Sequence, residues 1–195
     1  MEKLLQLDTE LFLFFNGLHM PWADRIVYYL SKGWVWTPLF LFFIYLIFRI
    51  YQKRGWIVLA VFALTIALSD QTCNLLKNSV CRYRPSHTEV IAKDIHLVEK
   101  PEGGSYYGGK YGFPSAHASN TMALAFLVIF FLSKRKKWVI ALAVAWSLMM
   151  AYTRLYLGVH YPLDILFGFI LGSCYALLMC FLYKKWLSKV SFGKK

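Results

Sequence analysis

The residues able to do chemistry are concentrated in three short stretches separated by long apolar runs. The first holds Lys77 and, after six intervening residues, Arg84 followed at once by Pro85. The second is Gly112-Phe-Pro-Ser-Ala-His117, where a proline and a serine precede an apolar run and so mark a helix start. The third is Thr153-Arg154-Leu-Tyr-Leu-Gly-Val-His160-Tyr-Pro-Leu-Asp164. His160 and Asp164 stand four apart around a proline in the first helical turn, so a carboxylate can reach the imidazole, fix its tautomer and raise its basicity. Each stretch alone also has a plainer reading. Lys77 and Arg84 make a snorkelling basic collar, Ser115 an N-cap, and His160 with Asp164 a satisfied pair. Together they suit a tetrahedral dianion. Lys77, Arg84 and Arg154 can neutralise its oxygens, a helix N-terminus with the Ser115 hydroxyl can cradle it, one histidine can attack, and the other can protonate the leaving oxygen.

The elements that position these residues read as membrane helices. The 195 residues are 58% hydrophobic and 16% charged, with mean hydropathy +0.47, against about 25% charge in an ordinary soluble domain. That excludes a water-soluble globule and a disordered chain, and four cysteines are too few for a disulfide scaffold. The net charge of +12 does not indicate nucleic acid, because the basic residues sit in clusters between apolar runs rather than in a stripe. Met1 to Glu10 has no basic n-region or cleavage-like site, so no signal peptide is expected. The pattern predicts an all-α polytopic membrane bundle in one domain, residues 1–195. Five spans are expected: Trp34 to Tyr51, Trp56 to Lys77, Ala118 to Ser133, Trp138 to Thr153 and Ile165 to Tyr183. Residues 1–33 read as an N-terminal interfacial segment, with Leu11 to Leu30 as its amphipathic part and a sixth span as the alternative.

Alternation of five spans puts all the chemistry-bearing helix ends on one face. The opposite face collects twelve basic residues and no acidic one, in the turns 49–55 and 133–138 and the tail from Lys184. By the positive-inside rule that face, with the C-terminus, is expected in the cytoplasm and the site outside. The loop 86–113 would then be external and long enough to cover a headgroup. Asp70, Lys77 and Arg84 share one helix face if the second span continues as far as Pro85, which would stop it. Cys73 and Cys81, eight apart, are too distant to bridge if both are helical, and Cys174 and Cys180 read as packing residues.

Lys77-x6-Arg84-Pro85, Pro114-Ser115-Ala116-His117 and Arg154-x5-His160-x3-Asp164 resemble the three signatures of the type 2 phosphatidic acid phosphatases, relatives of the vanadium haloperoxidases. Two positions depart from the pattern. Ala116 and Thr153 stand where the family commonly has Gly and Ser. The resemblance implies a phosphatase that needs no metal or cofactor. His160 would form a phosphohistidine, Asp164 would orient it, and His117 would act as general acid and then base. Lys77, Arg84, Ser115, the Ala116 backbone N–H and Arg154 would bind the phosphoryl oxygens. The implied substrate is a membrane lipid phosphate at the outer face of the cytoplasmic membrane. Undecaprenyl diphosphate, phosphatidylglycerol phosphate and lipid A phosphate all fit. Two other classes share the basic pocket: a non-catalytic lipid or anion transporter, and a metal-dependent intramembrane hydrolase with His117, His160 and Asp164 as ligands.

Overall fold

The computed structural model describes residues 2–133 and 136–192, the side chains of residues 188–192 excepted. Lys134, Arg135, Lys194 and Lys195, part of the charge pattern used for orientation, lie outside the described residues. The architecture is all-α: α1 (Glu2–Gly17), α2 (Pro21–Leu30), α3 (Thr37–Tyr51), α4 (Gly55–Val80), α5 (Ala116–Leu132), α6 (Lys137–Tyr156) and α7 (Pro162–Phe192). Among the described residues the only extended pairings are isolated bridges, Tyr83 with Tyr111 and Glu99 with Ser105. Among the described residues three helical stretches are long and apolar enough to cross a membrane: Gly33–Val80, Lys137–Tyr156 and Pro162–Leu187. Gly33–Val80 includes both α3 and α4, which pack on each other across a break where Gln52 has a φ of 49°. Ala116–Leu132 is a shorter apolar helix.

Helix α5 is the centre of the bundle and contacts α3, α4, α6 and α7. From Met122 onward it is apolar on every side, so burial all round is the stable arrangement for that part. Its closest neighbour is α7, and two glycines explain the approach. A Cβ on Gly168 would collide with the Ser115 carbonyl, and one on Gly172 with the Ser119 backbone. Small residues at an interface let two helix backbones meet where apolar side chains alone give no drive to associate in lipid. Interhelical hydroxyl bonds add to this: Ser69 Oγ lies 2.7 Å from Ser119 Oγ, and Ser147 Oγ donates to Thr121 Oγ1 at 3.3 Å. Exposed apolar side chains such as Leu41, Leu64 and Leu177 cover the outer faces, as a lipid environment requires.

Two expectations are corrected here. Helix α4 does not reach Pro85. It ends at Val80, where Cys81 takes a left-handed conformation (φ 52°) and its N–H closes on the Lys77 carbonyl at 3.0 Å. Arg84 therefore leaves the helix face shared by Asp70 and Lys77. It sits instead on an extended stretch, where its N–H donates to the Lys110 carbonyl and the Gly112 N–H donates to the Arg82 carbonyl. The N-terminal segment is also not one amphipathic stretch over 11–30. It forms two helices, interrupted at residues 18–20, and α1 is tied into the bundle. Asn16 Nδ2 donates to the Leu155 and Tyr156 carbonyls at the end of α6, and to the His96 carbonyl, at 3.0 to 3.1 Å. The loop 86–113 packs its Val98 against Tyr28, Leu157 and Val159, so part of it is core rather than cover. All four cysteines are free.

Candidate active site

The site is built where the N-termini of α5 and α7 meet. Ser115 caps α5: its Oγ accepts the Ala118 N–H at 3.4 Å, and its own N–H donates to the Asp164 carbonyl at 2.9 Å. The close α5–α7 packing thus places Ser115, Ala116 and His117 beside the first turn of α7, which carries Asp164. His160 lies between α6 and α7 and is 2% exposed. Its Nδ1 is 3.4 Å from Asp164 Oδ2, the contact expected from the four-residue spacing.

The other ring nitrogen decides the tautomer. His160 Nε2 is 3.1 Å from Arg84 Nη1. A guanidinium can only donate, so Nε2 carries the lone pair and Nδ1 the proton. The Nδ1 side faces Asp164 and the Gly112 carbonyl, both acceptors. A Cβ at 112 would stand 2.9 Å from Asp164 Oδ2 and 3.2 Å from Arg84 Cγ, so any larger residue would have to displace these side chains. Burial, and then the charges of Arg84, Arg154 and Lys77, hold the imidazole well below the ordinary histidine value. It is a neutral base whose lone pair, taken up by Arg84, faces a cationic cavity.

That cavity has a volume of about 350 Å3 and is lined by Lys77, Arg84, Ala116, His117, Asn120 and His160, among others. Arg84 is braced by the Tyr111 carbonyl at 3.1 Å and the Val159 carbonyl at 3.2 Å. Lys77 Nζ reaches Asn74 Oδ1 at 3.5 Å. Ser115, Arg154 and Asp164 stand behind the cavity surface, each 1% exposed or less. Arg154 Nε and Nη2 both donate to Thr153 Oγ1, at 3.0 and 2.9 Å, so the hydroxyl at this departure from the family pattern anchors a guanidinium. The eight residues singled out in the sequence are therefore brought to one place, five on the cavity wall and three in its backing. Among the described residues no three His, Cys, Asp or Glu side chains converge to hold a metal ion.

Two residues of this centre were not picked out in the sequence. Arg82 Nη1 donates to Asp164 Oδ1 at 2.8 Å, and Nη2 to Asp8 Oδ2 at 2.5 Å. Its guanidinium also lies 4.2 Å from the centre of the Tyr161 ring. Asp8 is buried in α1, and its second oxygen accepts the Leu163 N–H at 2.8 Å. Arg82 reads in sequence as one more member of a basic collar. The available signal was Asp8, an acid on the buried side of a helix that otherwise exposes most of its residues.

The model of the PAP2 superfamily matches residues 54–188, a stretch that contains all eight of the singled-out site residues. The chain belongs to the PAP2 superfamily. Among curated proteins this PAP2 chain is similar to the lipid A 4'-phosphatase of Bacteroides thetaiotaomicron, 38% identical over 188 residues, covering 94% of this chain and 80% of that protein. It is 32% identical over 190 residues to the lipid A 4'-phosphatase of Porphyromonas gingivalis, covering 96% and 76%. Two solved PAP2-type structures share the fold. Aquifex aeolicus LpxE superposes with a TM-score of 0.67 over 89% of this chain and 94% of that one, at 24% identity. The Bacillus subtilis transmembrane phosphatidylglycerolphosphate phosphatase gives 0.66 over 97% and 89%, also at 24% identity. The PAP2 chain described here is a membrane protein and a phosphatase of this family.

Proposed function

We propose that this chain is a lipid A phosphatase that releases the 4'-phosphate through a phosphohistidine on His160. The observation that carries the chemistry is the bonding of that imidazole: Nδ1–H on the Asp164 side, and a lone pair on Nε2 facing the cation-lined cavity. The similarity to two lipid A 4'-phosphatases over nearly the whole chain supports the substrate.

In the first step an entering phosphoryl group draws Arg84 off His160. The freed Nε2 attacks phosphorus, the bond from phosphorus to the sugar oxygen breaks, and that oxygen takes a proton from His117, which enters the step as the imidazolium beside the phosphate dianion. Asp164 stabilises the ring as it becomes positively charged. In the second step His117 takes a proton from water, the water oxygen attacks phosphorus, and the nitrogen–phosphorus bond breaks to release phosphate and neutral His160. Lys77, Arg84 and the N–H groups at the start of α5 stabilise the equatorial oxygens, with Ser115 and Arg154 completing the field from behind.

The whole chain, 1–195, acts as one unit with five crossings made by α3 to α7, α1 and α2 lying at the outer interface, and 86–113 external. The site faces the periplasm across the cytoplasmic membrane, and the C-terminus is cytoplasmic. The twelve basic residues on the opposite turns and tail support this orientation.

Phosphate release by the purified protein from lipid A, undecaprenyl diphosphate and phosphatidylglycerol phosphate tests the reading. Lipid A bearing the 4'-phosphate is expected to give the highest kcat/KM, with inhibition by vanadate, no loss on EDTA treatment and no turnover by His160→Ala. EDTA loss restored by zinc would favour the metal-dependent alternative, and binding without any release would favour a transporter.

A further inference from the structure

Helix α5 carries His117, Asn120, Thr121 and Leu124 on one face, and all four line the polar cavity. Across from them α4 presents Asp70, Asn74 and Lys77, also one turn apart. The chemistry described above uses His117 and Lys77 and leaves Asp70 without a role. Asp70 is nonetheless carefully held. Asn120 Nδ2 donates to its Oδ1 and Asn74 Nδ2 to its Oδ2, each at 3.1 Å. Asn120 is itself fixed by Ser69, whose Oγ donates to Asn120 Oδ1 at 2.8 Å. Among the described residues Asp70 has no ion-pair partner. A half-buried carboxylate within an apolar helical stretch is costly to keep, and costlier still beside a pocket for an anion.

Its place relative to His117 indicates its use. His117 is the group that protonates the leaving oxygen, and Asn120, one turn further along the same face, brings Asp70 to that side of the cavity. Beyond Asp70 the wall turns apolar: Leu124 and Trp146 are shared with a second cavity of about 310 Å3 between α3, α5 and α6. The wall therefore runs from cations and imidazoles, through a carboxylate with two amides, to hydrocarbon. We propose that Asp70 reads the group that carries the phosphate, accepting hydrogen bonds from hydroxyl or amide N–H donors of a sugar headgroup and repelling a leaving group that is itself anionic, such as the phosphate of a prenyl diphosphate. The inference rests on the phosphatase reading above. It adds a physical basis for choosing a sugar-borne monoester over a diphosphate.

The experiment compares kcat/KM on lipid A and on undecaprenyl diphosphate, in the same detergent micelles, for the full chain and two variants. Asp70→Asn removes the charge and nearly keeps the shape. It lowers kcat/KM on lipid A by about ten- to hundredfold, the usual range for a lost hydrogen bond to a charged group. It raises kcat/KM on the diphosphate by about threefold or more, because the repulsion is gone. Asn120→Ala keeps the charge but loses its aim, so it lowers the lipid A value without accelerating the diphosphate. Unchanged vanadate inhibition shows that each variant is folded with its phosphate site intact. Equal fold changes on both substrates overturn the inference, since Asp70 would then only steady Lys77 through Asn74. Wild-type protein that cleaves the diphosphate but not lipid A overturns the functional reading alone. An unchanged diphosphate rate in Asp70→Asn would then overturn this inference as well.

Discussion

Arg82 grips one oxygen of Asp164 at 2.8 Å while the other Asp164 oxygen faces His160 Nδ1 at 3.4 Å. The same guanidinium reaches back to Asp8, so a helix from the first residues of the chain ends in contact with the histidine's orienting carboxylate. A planar fork with two N–H arms can hold two carboxylates at once, and this one is stacked on Tyr161 as well.

Arg82→Gln is therefore expected to loosen Asp164 and lower kcat by about 10- to 100-fold, by analogy with the loss of outer partners that orient metal-binding histidines. KM changes little, because the cavity-lining cations are untouched. Arg82→Lys recovers part of the loss, and Asp8→Asn shows a smaller defect of the same kind. Steady-state kinetics with vanadate binding as a control decide the matter. A defect confined to KM would place Arg82 on the substrate instead.

The clamp gives a second expectation. Arg84→Ala removes a donor from the cavity, and kcat should fall about 10²- to 10³-fold, as for loss of one oxyanion-stabilising donor. Arg84→Lys recovers little, because an ammonium cannot reproduce the contacts to His160, Tyr111 and Val159 together. Arg154→Ala should show a comparable loss through the field it exerts from behind the wall. Full activity in Arg154→Ala would reduce that residue to an anchor for Thr153.

Titration of His160 supplies the third. Burial and three nearby cations lower its pKa, so the ring stays neutral as pH falls and gains its proton only below the ordinary value of about 6.5. Nitrogen-15 NMR of the substrate-free protein, with the signal assigned by its loss in His160→Gln, should show a ring still neutral below that value. Arg84→Ala removes the largest of the three charge effects and moves the titration upward. A wild-type ring that titrates at 6.5 or above contradicts the electrostatics described for the site.

Orientation gives the fourth. A reporter fused after Lys195 should be active only in the cytoplasm, and a cysteine introduced at exposed Val90 should react with an impermeant thiol reagent from outside. A C-terminal reporter active only in the periplasm would reverse the topology and move the site to the inner face.

Much of this protein is legible in its sequence because the signals are local. An apolar run reads as a membrane helix wherever it lies, as Lys137–Tyr156 and Pro162–Leu187 do. Ser115 after a proline is a cap by its own chemistry, and His160 with Asp164 meet because one helical turn separates them. The convergence of Lys77, Arg84, His117 and His160 on one cavity was also within reach, from the alternation of the spans and the family signatures.

Other relationships depend on how distant segments pack. Seven-residue spacing placed Arg84 on the α4 face, but a left-handed Cys81 ended the helix, and pairing with residues 110–112 put the guanidinium against His160. Arg82 and Asp8 are 74 positions apart, and no spacing rule links them. Asp70 and Asn120 meet only because α4 and α5 lie side by side. Residue type and periodicity act over a few residues, so the sequence alone determined the long apolar helices, the cap at Ser115 and the meeting of His160 with Asp164. Which oxygen of Asp164 faces the histidine was decided by the Arg82 grip on the other one and the docking of α1 through Asp8, and which cation faces the histidine's lone pair by the pairing of residues 82–84 with 110–112, both products of packing between segments far apart in the chain.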